Sequence, residues 1–203
     1  LRECTALSEN GYEVDLICIH DPKDKQMPYV EQRNDNFRVL RVKRYPFILT
    51  FLQTIRRNKA LAALSWLLWI VAAFLMPAVV LPLTILGAIL LKTKCRTILV
   101  RGSIIARMIL QGFKKDYDIY HSNDLNTLPQ GYICAKWRLK KKTLVYDSHE
   151  VQTSRTGYDS GLYGKMEKFL IKRIDSMIVE NNTRAKYNED LYDLIKLKIS
   201  KRD

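Results

Sequence analysis

Residues 143–150 read Thr-Leu-Val-Tyr-Asp-Ser-His-Glu, a short apolar run that ends abruptly in four polar side chains. This pattern is typical of a buried parallel strand whose carboxyl end opens into a polar site. Ligands of open α/β sheets bind at the carboxyl ends of strands, so the polar residues are candidate site residues: Asp147, Ser148, His149 and Glu150. A histidine beside carboxylates can act as a general acid or base, or can bind a hydroxyl group of a ligand.

A second polar cluster ends the strand that is predicted at residues 116–122. It is formed by His121, Ser122, Asn123 and Asp124. If this strand and the strand at residues 142–148 are parallel neighbours, both clusters lie at one edge of the sheet. Structural roles compete with this interpretation, since His121 can be an ordinary strand-end histidine, Asp124 can cap the following helix, and Asp147 can hold a loop.

The predicted elements alternate regularly in the second half of the chain. From residue 116 onward the order is β-α-β-α-β-α, which indicates a parallel sheet with crossover helices. The strands are predicted at residues 116–122, 142–148 and 175–180, and the helices at residues 125–139, 157–174 (from about 162) and 182–194.

The first half is predicted to start within a helix that ends at the stop signal Asn10-Gly11. A strand, a proline-containing loop, a half-exposed strand and a helical region follow, at residues 12–20, 21–36, 37–43 and from 45 onward. A parallel α/β domain normally begins with a strand and a glycine-rich turn, and the lysine-rich residues 195–203 are followed by no further domain. The sequence is therefore predicted to be a fragment truncated at both ends.

The net charge of +13 is concentrated around one segment. Residues 33–59 and 92–115 together carry fifteen basic residues and one acid, whereas residues 60–91 are thirty-two consecutive uncharged residues, mostly Leu, Ala, Ile and Val. This apolar segment is too internal for a signal peptide and is predicted to associate with a membrane. The basic residues bracket it rather than interleave with aromatic residues, which argues against a nucleic-acid partner.

Pro77 and Pro82 interrupt the apolar segment and predict breaks or kinks in its helix. As one straight helix it would measure about 48 Å, against a hydrocarbon core of about 30 Å. Basic flanks stay on the cytoplasmic side, so we expect a monotopic or re-entrant hairpin with both ends at the cytoplasmic face of the cell membrane. A single kinked span and a buried core hairpin are the alternatives. The basic flanks predict attraction to anionic lipid headgroups.

The four cysteines form no recognisable zinc or disulfide pattern. No pair of them has CxxC spacing, which fits a reducing compartment and a packing role for Cys18 and Cys134. The common glycine-rich phosphate-binding, hydrolase and metalloprotease motifs do not occur either.

Four stretches carry a resemblance to a known family: residues 1–15, 118–131, 144–150 and 174–192. The most specific pair is Asn-Asp-Leu-Asn-Thr-Leu at residues 123–128 with Tyr-Asp-Ser-His-Glu at residues 146–150. With them the sequence resembles the N-terminal domain of retaining family-4 glycosyltransferases of GT-B architecture. The resemblance implies a Rossmann-like α/β fold and transfer of a sugar from a nucleotide-sugar donor to a lipid-linked or polysaccharide acceptor, with no metal and no other cofactor.

The resemblance also implies roles for the polar clusters. It places His149 near the reacting sugar, and Asn123 and Asp124 in the same cleft. We therefore predict His149 and Glu150 as catalytic residues, and the remaining polar residues as substrate-binding: Asn123, Asp124, Asp147, Ser148 and His121.

The sequence departs from that family in three ways. The first strand with its glycine loop is missing, the C-terminal donor-binding domain with its Glu-x7-Glu motif is missing, and the apolar segment is longer than usual. Residues 1–203 are thus predicted to be one incomplete Rossmann-like domain, interrupted by a membrane-associated helical hairpin region at residues 45–111, and inactive alone. The alternative is a non-catalytic, membrane-anchored Rossmann-like scaffold or interaction domain.

Overall fold

The computed structural model describes residues 2–24, 26–92, 94–148, 162–179 and 198–201. The chain contacts divide it into two compact units, Leu1–Met108 and Ile109–Asp203. The grouping of both units into the single predicted domain stays a prediction.

The first unit holds a three-stranded sheet in the order β1-β3-β2. Its first elements are α1 (Arg2–Glu9), β1 (Val14–Ile19), β2 (Val30–Asn34) and β3 (Phe37–Val42). The helix ends where it was predicted to end, because Gly11 has a left-handed φ of +86° that glycine adopts without strain. The predicted strands at residues 12–20 and 37–43 are confirmed, and they pair in parallel. The half-exposed surface predicted for the second strand is wrong, because four of the six residues of β3, on both of its faces, are buried.

Strand β2 corrects the prediction of a loop throughout residues 21–36. It pairs antiparallel with β3, so that Val30 lies opposite Leu40 and Glu31 lies opposite Val39. The strand lies at a sheet edge and is mostly exposed, so it lacks the apolar alternation that marks a buried strand. It is instead supported by an ion pair of 2.5 Å between Glu31 and Arg41 of β3.

Four helices follow in the region that was predicted to be an inserted helical segment. They are α2 (Phe47–Arg57), α3 (Lys59–Leu75), α4 (Pro77–Lys92) and α5 (Lys94–Phe113). Pro77 begins α4, a position where a missing N–H group costs nothing, so the predicted break there is confirmed. Pro82 was expected to interrupt the helix as well, but α4 continues through it. One lost backbone hydrogen bond in its second turn is therefore tolerated.

The helices α3 and α4 are strongly apolar and yet exposed. Of the side chains described in them, none is buried, and Phe74 is 87% exposed. The two helices contact each other, and Trp69 Nε1 donates a hydrogen bond of 2.9 Å to Thr84 Oγ1. These two helices therefore do not form the buried core hairpin that was the alternative prediction.

No single described helix is long and apolar enough to cross a membrane. Two bent helix pairs pass the same test of length and composition, α2 with α3 and the first part of α4 with α5. The first of these pairs is bent by 108°. Insertion of the apolar segment into a membrane stays a prediction.

The second unit holds a four-stranded parallel sheet in the order β4-β5-β6-β7. Its elements are β4 (Ile119–Ser122), α6 (Leu128–Lys136), β5 (Thr143–Ser148), α7 (Leu162–Ile171), β6 (Ser176–Val179) and β7 (Lys198–Lys201). The predicted alternation of strands and crossover helices is confirmed through β6. The helix predicted at residues 182–194 lies outside the described residues.

Strand β7 was not predicted, since residues 195–203 were interpreted only as a lysine-rich end. It pairs in parallel with β6, so that Ile199 lies opposite Met177. A four-residue run at the edge of a sheet carries too few apolar residues to be recognised by pattern. The core of this unit lies between the sheet and its helices, around Leu128, Leu144, Tyr146 and Ile171, each fully buried.

Candidate functional site

The two predicted polar clusters lie at one edge of the parallel sheet. Strands β4 and β5 are direct neighbours, with Tyr120 opposite Leu144 and Ser122 opposite Tyr146. Both strands run in the same direction and each ends at a serine, Ser122 or Ser148. The residues that follow β4 therefore emerge beside the end of β5.

His121 and Asp147 lie on one face of this edge. A ring nitrogen of His121 and a carboxylate oxygen of Asp147 are within 4.8 Å of each other. The imidazole is exposed, whereas Asp147 is only 2% exposed. An exposed histidine beside a buried carboxylate can present a proton donor or acceptor to a ligand hydroxyl.

Ser148 lies on the opposite face, because successive residues of a strand alternate between faces. The predicted cluster is therefore divided between the two sides of β5. On the side of Ser148 the Tyr146 phenol lies 3.3 Å from Glu167 Oε1 of α7, and both residues are buried. Burial, followed by the neighbouring Glu167 charge, raises the pKa of the Tyr146 phenol far above its usual range, so the phenol stays protonated.

Tyr146 and Glu167 were not predicted from the sequence. Tyr146 was interpreted as part of the apolar strand, and a glutamate in a helix is normally exposed. Glu167 nevertheless has the spacing of a core residue, since the buried Leu170, Ile171 and Ile174 follow it at three, four and seven positions. That spacing was the available signal for a buried carboxyl group beneath the site.

Asp124 organises the turn between β4 and α6. It has a positive φ of 122°, which is rare for any residue except glycine and is found mainly at functional sites. Its carboxylate accepts hydrogen bonds from Leu125 N at 2.7 Å and Asn126 Nδ2 at 3.1 Å. The helix was predicted from residue 125, but it begins only at Leu128, so Asp124 caps this preceding turn rather than α6.

The structure describes only one of the three remaining predicted residues, Asn123. Asn123 is exposed beside Asp124 at the end of β4. His149 and Glu150, the predicted catalytic pair, lie outside the described residues and directly follow β5. The catalytic and substrate-binding roles of all seven residues stay predictions.

The opposite, amino-terminal edge of the sheet is held by ion pairs. Lys142 Nζ lies 2.8 Å from Asp116 Oδ2, and Lys136 is paired with Asp175. The hydrogen bond between Lys142 and Asp116 lowers the pKa of the Asp116 carboxyl and raises the pKa of the Lys142 ammonium group. The ion pairs at the amino-terminal edge therefore stabilise the strands whose carboxyl ends form the polar edge.

The replacement Asp116→Asn is expected to change how stability depends on pH. Because the folded-state pKa of Asp116 is lowered, its contribution exists above its unfolded value of about 3.9 and disappears as the pH falls through the folded value. The raised pKa of Lys142 keeps the pair intact up to about pH 10. Denaturant unfolding should show a constant deficit for the variant between about pH 5 and 9 that shrinks as the pH falls below about 4.

The control for this prediction is Asp118→Asn. Asp118 lies farther from Lys142, at 3.6 Å, and its side chain is 98% exposed. We expect a smaller deficit for it than for Asp116→Asn. A deficit of Asp116→Asn that persists unchanged at pH 3 would show that the lost interaction is not ionic.

Three of the described cysteines, Cys4, Cys18 and Cys134, have thiols that are harder to ionise than a free thiol. Burial raises the pKa of the Cys134 thiol to about 11, and Cys134 lies in the core of the second unit. Burial also raises the pKa values of Cys4 and Cys18. These three thiols therefore stay protonated at neutral pH, in agreement with the predicted packing role of Cys18 and Cys134.

Comparison with known proteins shows the fold. No protein-family profile and no curated protein sequence matches the chain. Among solved structures, it is similar to a sucrose-phosphate synthase from Thermosynechococcus elongatus, with a TM-score of 0.57 and 12% identity over 98% of this chain. A second structure of that synthase matches with a TM-score of 0.48 and 15% identity, over 98% of this chain and 79% of the other. The chain spans 40% of the length of the first synthase structure. It is thus a mixed α/β protein with a parallel sheet and helices, consistent with a Rossmann-like GT-B fold.

Proposed function

We propose that this chain is the acceptor-side half of a retaining family-4 glycosyltransferase. The protein transfers a sugar from a nucleotide-sugar donor to a lipid-linked or polysaccharide acceptor. The observation that carries the proposal is the polar edge of β4 and β5, in a fold shared with a synthase named for sucrose phosphate. The sequence resemblance to glycosyltransferases supports the same reaction class independently.

The polar edge offers the groups that sugar transfer requires. A sugar acceptor is recognised through its hydroxyl groups, and the pair of His121 and Asp147 supplies a proton donor and acceptors on one face. His149 follows Ser148 directly and acts beside the transferred sugar, with Glu150 next to it and Asn123 and Asp124 along the same wall. This chemistry uses side chains alone, with no metal or other cofactor.

The donor is held largely by a second domain of the protein. This chain spans 40% of the length of the first synthase structure, and the rest of that length is enough for such a domain. We expect it to be a second α/β domain with two glutamates eight positions apart. The complete protein is therefore the form in which activity is to be measured.

The site works at the cytoplasmic face of the cell membrane. The apolar helices α3 and α4 have no buried side chain among those described, and exposed apolar surface of this extent marks a membrane or protein contact. Basic residues flank both helices, so both ends favour the same, cytoplasmic side. A monotopic or re-entrant pair holds the domain where a lipid-linked acceptor lies.

The proposal is tested by incubating the complete protein with a panel of nucleotide sugars and membrane lipid extract. Release of the nucleoside diphosphate from one donor, dependent on the extract, is the expected result. A folded protein that binds and turns over none of the donors would favour the alternative scaffold function. Flotation with liposomes tests the membrane part separately, and absence of binding to both anionic and zwitterionic liposomes would refute that part.

A further inference from the structure

Helix α2 presents two different faces. On one side Leu49 is buried, at 4% exposure. On the other side four large apolar residues are 38–79% exposed: Phe47, Ile48, Phe51 and Leu52. At about 100° per residue, they fall with Ile55 into one arc of about 140°. The rings of Phe47 and Phe51 lie 6.1 Å apart within this face.

Basic residues stand at both ends of this apolar face. The exposed cations are Lys43 and Arg44 before the helix, and Arg56, Arg57 and Lys59 at its end. Residues 36–115 contain no aspartate or glutamate at all. An apolar helical face framed by cations, without nearby carboxylates, is complementary to a surface of anionic lipid headgroups over acyl chains.

The bend between α2 and α3 fits the same surface. Their axes differ by 108°, so a helix α2 that lies parallel to a membrane allows α3 to run within about 20° of the membrane normal. Helix α3 has 17 residues, about 25 Å, and carries no charge after Lys59. Asn58 joins the two helices and caps α3 through hydrogen bonds from Ala60 N and Leu61 N, which fixes the corner.

We infer that α2 lies flat in the headgroup layer of an anionic bilayer and sets the point where α3 and α4 enter it. This inference rests on the membrane part of the proposed function. The apolar face of α2 reaches the boundary of the acyl chains, while the cations at its ends bind lipid phosphates. A protein partner bound to α2 alone would not account for the exposed apolar surface of α3 and α4, which follow it in the chain.

The experiment measures the depth of α2 directly. Phe51→Trp is introduced into the complete protein together with Trp66→Phe, Trp69→Phe and Trp137→Phe, which leaves one tryptophan in this chain; any tryptophan elsewhere in the protein is also replaced by phenylalanine. Anionic vesicles carry brominated lipids with bromine either near the headgroup or near the chain end. We expect stronger quenching by the shallow bromines. The matched control places the reporter at Tyr12, as Tyr12→Trp, and should show no quenching, because this exposed residue precedes β1 at the edge of the sheet opposite to the end of β3 that leads into α2.

The outcomes separate the inference from the proposal beneath it. Protein that floats with the vesicles while the reporter in α2 stays unquenched would overturn the inference and leave membrane binding intact. Protein that floats with neither anionic nor zwitterionic vesicles would overturn both. The double replacement Arg56→Gln and Arg57→Gln should weaken binding to anionic vesicles by about fivefold per residue and leave zwitterionic vesicles unaffected. Unchanged binding to anionic vesicles would contradict the role of the cations.

Discussion

Replacement of Arg138 by alanine is expected to lower the free energy of unfolding of the second unit by about 2–4 kcal/mol. The guanidinium donates hydrogen bonds to Gly112 O at 2.9 Å and Cys134 O at 2.8 Å, which are last-turn carbonyls of α5 and α6. It also donates to the Tyr120 hydroxyl at 2.7 Å and is only 15% exposed. Its loss removes the guanidinium donor from Cys134 O and leaves Gly112 O with the Tyr120 hydroxyl alone, in a nearly buried place.

Amide hydrogen exchange in β4 and β5 measures this loss within the second unit itself. Arg138→Lys should give an intermediate loss, because the ammonium group keeps the charge but lacks the planar fork. Arg173→Ala is the matched control, since Arg173 also donates to a helix carbonyl and lies over a ring, that of Phe169, but in an exposed position. We expect a loss below about 1 kcal/mol for it. Equal losses for Arg138→Ala and Arg173→Ala would contradict the assignment.

Replacement of Gly131 by alanine is expected to destabilise the same unit by about 1–3 kcal/mol. A Cβ atom at this position in α6 would overlap Ser122 Oγ and lie 3.1 Å from Leu144 Cδ1. The helix therefore lies against β4 at the point where the polar edge begins. Elsewhere in a helix interior the same replacement is favourable by up to about 1 kcal/mol, so a loss identifies the contact.

The combination with Ser122→Ala tests the cause of this loss. Without Ser122 Oγ the main overlap disappears, so Gly131→Ala should cost at most half as much in that background. Gly102→Ala in α5 is the matched control, because no heavy atom lies within 4 Å of its added Cβ, and it should be neutral or stabilising. Additive effects of Gly131→Ala and Ser122→Ala in hydrogen exchange would refute the proposed contact.

Strands with an apolar pattern were predictable, whereas strands without one were not. The apolar run of β5 reflects burial, which the sequence records directly, whereas β1 was recognised by its alternation although none of its residues is buried. Strand β2 is held by the pair of Glu31 and Arg41 and by backbone pairing, neither of which produces a periodic pattern. The same holds for the short strand β7. Pro82 was overestimated as a breaker because a helix can lose one hydrogen bond and continue.

The position of the candidate site was predictable, but the directions of its side chains were not. Parallel neighbours must end at a common edge, so the meeting of the two clusters followed from the order of elements alone. The strand was predicted to end at Ser148, as it does, but its side chains alternate up to that end, which sends Asp147 and Ser148 to opposite faces. The positive φ of Asp124 has no local signal in the sequence, and the spacing that marks Glu167 as a core residue does not show that it contacts Tyr146.

The central claim is that the polar edge of β4 and β5 carries sugar transfer, and His149→Ala tests it most directly. The measurement is the initial rate of nucleoside diphosphate release by the complete protein with its donor and acceptor. Loss of a group that donates or accepts a proton in the transition state should lower the rate by about 10²–10⁴-fold. His20→Ala, which removes a histidine bound to Met27 O at 2.9 Å and stacked on Tyr29, should leave the rate unchanged. A His149→Ala protein that turns over its donor at the wild-type rate would contradict the account.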